Sequence, residues 1–292
     1  MTETVDLPQI TEQSFRFDAR DGYSLAGISV VPDNPKAAVL ISSGTGFPKE
    51  LYRRIARAGA ERGFACLTYD YRGIAGSAPD EMRGFRANLM DWARRDFPAA
   101  LDEARDLAPG KPVFTLGHSV GGHLLGFAEN ALKPRAHAFV CTGSGYWGAH
   151  HASYKPLAAL FWLGFGPFSL ARKGYIAGGS LWPGEALPKG VFQQWRQWAS
   201  KPGYFSDVFD RLGLHYFDTI TAPMRNYTFT DDRNCSPRAA SDLMAIYTAA
   251  DKEILRLTPE ELDMTSVDHH GAFKRTASKF WPMPFEWFET YL

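Results

Sequence analysis

The chain has 292 residues, is 45% hydrophobic and 22% charged, and carries 32 basic against 32 acidic side chains. This is an ordinary globular composition, and the length admits one large domain or two small ones. The balance excludes the basic excess of a nucleic-acid binder and gives no polybasic patch for an anionic membrane.

Cys66, Cys141 and Cys235 are too few and too far apart for a disulfide framework or a zinc pattern. The start, Met1-Thr2-Glu3-Thr4-Val5-Asp6, lacks the basic and apolar parts of a signal peptide. Together they point to a reducing cytoplasm. The longest apolar run, 156–170, is too short to span a bilayer and is broken by Gly164, Gly166 and Pro167, so no integral membrane segment is expected.

In chain order, alternation on both sides of Asp21-Gly22 predicts a hairpin of 15–17 with 24–31. Residues 37–42 are a continuous apolar run, the mark of a strand buried on both faces, and lead into Ser43-Gly44-Thr45-Gly46. Helical spacing covers 51–62 and stops at Gly63. A strand over 64–69 ends in Asp70-Tyr71-Arg72-Gly73, and a helix over 96–108 has Asp96 as its expected N-cap and Pro98 in its first turn. The strand 113–116 runs into Gly117-His118-Ser119-Val120-Gly121-Gly122 and a helical segment over 123–131, and a further strand covers 137–142.

The rhythm breaks over 146–218, which holds five of the eight tryptophans, Trp147, Trp162, Trp182, Trp195 and Trp198, and no evident buried strand. This stretch reads as a helical insertion covering a site, with 1–145 and 219–292 as the core. Alternation resumes with a strand over 224–230, a helix over 237–250, a last strand over 262–267 and a closing helix over 280–292. Strand–helix alternation predicts an α/β fold: a mostly parallel sheet covered on both faces, its site at the carboxyl ends of the strands.

The organising motif is Gly117-His118-Ser119-Val120-Gly121. A serine between small residues at a strand-to-helix turn fits a nucleophile elbow. Gly117 and Gly121 remove clashes at a strained turn, and Gly122 lets the helix approach the sheet. A serine hydroxyl needs a base to take its proton and a carboxylate to hold that base. Acidic and histidine candidates follow at later strand ends in the order Ser, Asp, His. His270 competes with His269, and His270 is favoured because Gly271 leaves its ring room to tip. Asp232 competes with Asp231 and is favoured as further into its loop; Asp251, Asp263 and Asp268 sit less well. Val120 N–H and Thr45 N–H are expected to hold the oxyanion, with Gly46 as the alternative to Thr45. Gly46, His118, Trp147 and Trp162 are expected around the substrate, with His118 as a packing or orienting residue rather than a base. His150-His151 come without metal-ligand spacing, and no metal or cofactor is expected. Asp70-Tyr71-Arg72-Gly73 is expected to brace the site loops.

These stretches, together with Ile74-Ala75-Gly76-Ser77, resemble the α/β-hydrolase superfamily. The resemblance implies an eight-stranded, mostly parallel sheet, a Ser119-His270-Asp232 triad and an inserted cap. Ser43-Gly44 stands where the family's oxyanion loop begins His-Gly, and Phe229 where its acid loop opens with glycine. The segment 187–198 is similar to the cap of a bacterial subgroup of predicted α/β-hydrolases. The implied activity is ester hydrolysis on a small or medium, partly apolar substrate. Acyl transfer, aminopeptidase action (Glu185 or Asp207 would have to hold the amine) and non-catalytic ligand binding are the alternatives. The apolar stretch within 157–170 could alternatively meet a membrane surface or a second copy in a homodimer.

Overall fold

The computed structural model describes residues 9–179 and 181–292; the N-terminal stretch Met1–Asp6 lies outside them. Strands β1 (Ile10–Asp18) and β2 (Ser24–Pro32) form the expected hairpin. β2 pairs antiparallel with β4 (Phe64–Tyr69), which lies parallel to β3 (Ala37–Ser42). Then follow, all parallel, β5 (Val113–His118), β6 (His137–Val140), β7 (Met224–Phe229) and β8 (Lys252–Leu257). The order across the eight-stranded sheet is β1-β2-β4-β3-β5-β6-β7-β8.

Alternation along β3 shows why its sequence is apolar throughout. Ala38 and Leu40 enter one core with Phe97, Leu101 and Val120; Ala37, Val39 and Ile41 enter the other with Ile55, Phe285 and Phe288. Helix Phe97–Asp106 thus covers one face of the sheet, and helices Arg53–Glu61 and Pro282–Glu289 the other. Both faces are dry, so the central strands show no polar alternation.

Four local expectations are corrected. Asp96 is not an N-cap. The helical stretch starts at Asn88, whose side chain accepts the Met90 and Asp91 N–H groups in a capping box, and it passes through a π turn, Trp92–Asp96. Asp96 is turned inward to Arg72. The segment after the elbow is a four-residue helix, Val120–His123, and a 3-10 turn, Leu125–Phe127, whose Gly126 carbonyl accepts the Tyr216 N–H and so does not continue a helical ladder. The last strand is β8 and not 262–267. Lys-Glu-Ile-Leu-Arg-Leu is a sheet edge paired only to β7, and its charges suit an edge that must not recruit another strand. Finally, the helix expected over 237–250 stops at Met244.

Between β6 and β7 the described residues form helices Lys155–Ala159, Gly166–Lys173, Lys189–Ala199 and Phe209–Leu212, with a π turn, Leu160–Phe165, joining the first two. Pairing there is limited to the isolated bridges Ile176 with Leu187 and Gly179 with Trp182. Among the described residues no helix is long and apolar enough to cross a membrane.

Candidate active site

Ser119 follows β5 directly and holds φ +50°, ψ −117°. That backbone costs on the order of 1–3 kcal/mol for a residue with a side chain, so the surroundings must impose it. Ser119 N–H donates to the Val140 carbonyl (3.0 Å), and the Thr142 hydroxyl donates to the Ser119 carbonyl (3.2 Å). A Cβ at Gly121 would lie 2.3 Å from the Ser42 oxygen, and one at Gly117 2.7 Å from Gly122 N. The turn therefore exists only with glycine at both positions, as the motif predicts.

The residue against Ser119 is His269, and the expectation of His270 is corrected. His269 Nε2 lies 3.0 Å from Ser119 Oγ, and Nδ1 lies 2.8 Å from Asp232 Oδ2. Asp231 explains the one-residue difference. Its Oδ2 accepts the Ser266 hydroxyl and the Val267 and Asp268 N–H groups, drawing the approach to the histidines tightly onto β7's loop. Asp268 then takes a positive φ of 54°, and the next side chain faces the serine. His270 turns away and stacks on Phe47, ring centroids 5.3 Å apart.

Asp232 is the carboxylate on the His269 imidazole. Its Oδ1 accepts the Asn234 and Cys235 N–H groups at 2.8 and 3.0 Å. Burial alone would raise its pKa, but the His269 charge and the hydrogen bonds hold it at about 2. Burial pulls His269 down, and the Asp232 charge outweighs this, so its pKa is raised. With Nδ1–H directed at a fixed carboxylate, the neutral ring presents the Nε2 lone pair to the serine hydroxyl.

His118 is fully buried and does not line a substrate space. Its Nε2 lies 2.8 Å from the His269 carbonyl, which can only accept, so Nε2 carries the proton. Burial holds this ring's pKa well below the ordinary value, leaving it neutral. Nδ1 then accepts the Tyr52 hydroxyl (2.7 Å), whose oxygen accepts the Gly44 N–H (2.8 Å). One buried histidine thus ties the main chain of His269 to the loop after β3. Tyr52 carries no sequence signal for this role, because the contact spans 66 residues.

In the loop after β3 the Gly44 carbonyl accepts the Phe47 N–H, and Gly46 holds φ +75°. Among the described residues Thr45 N–H takes part in no backbone hydrogen bond, and Thr45 Oγ1 is buried without a partner. Val120, first in its helix, has an N–H with no intrahelical acceptor. Gly46 meets the insertion: its carbonyl accepts the Glu185 N–H, and a Cβ there would lie 2.6 Å from the Trp182 ring. Trp147 and Trp162 line a cleft of about 390 Å³ within the insertion, with Leu163 and Arg196. Neither Ser119 nor His269 is among the residues lining that cleft.

The surrounding polar residues act as braces. Asp70 accepts the Lys49 N–H and Nζ, both at 2.7 Å, and Arg72 pairs with Asp96 and Asp21. His150 Nδ1 donates to the Asn234 carbonyl and His151 N–H to the Arg233 carbonyl, pinning the start of the insertion to the Asp232 loop. Cys141, Asp232 and His269 bring donor atoms within 4.8 Å of one another. Asp232 and His269 are committed to each other, and burial keeps the Cys141 thiol protonated.

Residues 33–171 match the family model of the serine aminopeptidase S33 family. No sequence relative is found among curated proteins. Three solved structures are similar at low identity. A soluble variant of monoglyceride lipase from Saccharomyces cerevisiae is 14% identical, with 99% of this chain and 97% of that one covered and a TM-score of 0.63. A Pyrococcus furiosus esterase is 13% identical, with 97% and 93% covered and a TM-score of 0.60. Acylaminoacyl peptidase from Pyrococcus horikoshii is 16% identical, with a TM-score of 0.58; 98% of this chain is covered but only 42% of that larger one. With its strand order, its elbow and these likenesses, the chain has the α/β-hydrolase fold.

Proposed function

We propose that the chain is a serine hydrolase that cleaves a carboxylic ester of a small or medium, partly apolar acyl group. One observation carries this reading: Ser119 Oγ is 3.0 Å from His269 Nε2, whose Nδ1 is 2.8 Å from a buried carboxylate. In this mechanism Ser119 Oγ attacks the ester carbonyl while its proton passes to His269 Nε2. Asp232 stabilises the imidazolium, and the Val120 and Thr45 N–H groups receive the oxyanion. His269 gives its proton to the leaving alcohol, and a water activated by the same nitrogen releases the acid. Residues 146–218 act as a cap. Its aromatic side chains favour an apolar substrate portion.

Aminopeptidase action is the second reading, favoured by the family match. It requires a carboxylate near the serine to hold a free amine. Of the two candidates named from the sequence, Asp207 caps the Gly203 N–H of its own turn, which leaves Glu185 beside the Gly46 loop.

The test is labelling with a fluorophosphonate probe, peptide mapping, and an ester chain-length series run beside aminoacyl amides. Adduct on Ser119 with turnover of esters is expected. Adduct with turnover of aminoacyl amides alone would favour the second reading. No adduct under conditions that label a known serine hydrolase would remove both.

A further inference from the structure

The balanced charge of the whole chain conceals a local imbalance. Residues 130–184 contain no Asp or Glu. Within them, the helical stretch from Lys155 to Lys173 carries Lys155 at one end and Arg172 and Lys173 at the other. None of these three cations has an ion-pair partner among the described residues.

The same stretch has two unlike faces. Ala158, Trp162, Gly166 and Ser169 point inward. Trp162 packs on Phe192 and Trp195, ring centroids 5.6 and 4.8 Å away, so the orientation of the stretch is set by the helix beneath it. On the outer face Leu157 and Leu160 are 47% and 49% exposed, and Leu163 and Phe168 are each 66% exposed. Single exposed leucines are common on soluble proteins. Four large apolar side chains on one helical face, with cations at both ends and no carboxylate in the segment, match a helix that lies in a lipid–water interface.

We propose that this face docks onto an anionic lipid surface, with Leu157, Leu160, Leu163 and Phe168 in the acyl boundary and Lys155, Arg172 and Lys173 at the headgroups. Charge selects this occupant over a second copy of the chain. A two-fold contact through this face would set the three cations against their own copies, with no carboxylate in the segment to pair them. Anionic headgroups supply the missing charge. Leu163 also lines the cleft that holds Trp147 and Arg196, so the docking face is continuous with that cleft. The docking itself does not depend on what Ser119 does.

The experiment is co-sedimentation of the purified protein with large vesicles of phosphatidylcholine, alone or mixed with phosphatidylglycerol. The wild type is expected to partition onto the mixed vesicles. The double variant Leu160→Asp, Phe168→Asp should lose at least about tenfold of that partition, since it places two charges in the acyl boundary. Both positions are exposed, and an unchanged circular-dichroism melt would show that the variant folds. Lys155→Ala, Arg172→Ala and Lys173→Ala together should weaken binding by about fivefold per charge and abolish the preference for phosphatidylglycerol. Four results would overturn the proposal: no partition of the wild type, undiminished partition of the double variant, equal partition onto phosphatidylcholine alone, or a wild-type dimer in light scattering that the double variant splits.

Discussion

The loops at the carboxyl ends of the strands and the insertion above them are held by different physics. In the loops nearly every tie is directional. Ser43 Oγ donates to the Tyr69 carbonyl, Asp70 holds Lys49, Asp231 holds 266–268, and His118 holds His269. Such bonds fix angles as well as distances, which a 3.0 Å approach of Nε2 to Oγ demands. The insertion is held mainly by aromatic faces: Phe161, Trp162, Trp182, Phe192 and Trp195 pack with centroids 4.8 to 6.1 Å apart. Those contacts supply area over interplanar angles from 25° to 88°. Angles are fixed around Ser119 and His269, and bulk fills the insertion.

The hardest test of that contrast lies in two adjacent residues of one loop. His269→Ala should lower kcat/KM for an ester substrate roughly 10⁴-fold, because it removes the base. His270→Ala should change it by less than about threefold, since its ring only stacks on Phe47. Equal losses would mean that the loop, and not a particular imidazole, is what the site requires. The pH profile sharpens this. The base works when neutral, so activity falls as pH drops through the pKa of His269. Asp232 holds that pKa above the ordinary value. Asp232→Asn removes the carboxylate's pull and leaves the burial, so the acid limb of the residual activity should move to lower pH.

The same two histidines show where sequence reading stops. The elbow was legible because its glycines are dictated locally, by a turn only a few residues long. Asp232 was favoured because it lies further into the loop after β7 than Asp231. The choice between His269 and His270 was not, because it is made by Asp231, a residue 37 positions away from the backbone N–H it grips in Asp268. Gly271 suggested room for the wrong ring. β8 was missed for a related reason: a charged edge strand has one neighbour and only part of the apolar pattern that marks its inner companions. Residues 252–254 are all exposed, so burial leaves little mark on that half of the strand. Conversely, 262–267 looks strand-like in composition, yet its first three N–H groups bond back to Pro259 and Glu260 and the Val267 N–H is taken by the Asp231 carboxylate.

The next largest difference should appear in stability. Arg72 has a 5% exposed side chain, held by Asp96 from the helical stretch and by Asp21 from the first hairpin. Asp96→Ala strips one partner from a buried cation and should cost roughly 3–5 kcal/mol, on the order of 10 °C in Tm. Leu157→Ser, on the exposed face of the insertion, should stay within about 0.5 kcal/mol of wild type. A thermal melt of each reads both. Comparable losses would show that the insertion carries as much of the fold as the braces do, and the contrast between the regions would fail.

The finest test concerns Tyr52, whose hydroxyl donates to His118 and accepts from Gly44. Tyr52→Phe removes one oxygen and keeps the ring, so packing against Phe273 is retained. His118 Nδ1 and the Gly44 N–H both lose a partner, at a cost of about 1–3 kcal/mol in stability. A purely structural hydroxyl would stop there, with kcat untouched in the folded protein. If Tyr52 instead positions the machinery, two reacting parts loosen together. The His269 carbonyl is held by a ring now free to rotate, and the loop bearing Thr45 loses the anchor at Gly44. Neither part binds the ground-state ester, so kcat should fall about tenfold while KM changes little. The acid limb should stay where it is, because the Asp232–His269 pair is intact. A lowered Tm with unchanged kcat would reduce Tyr52 to a packing residue, and a raised KM would mean that its loop contacts the substrate itself.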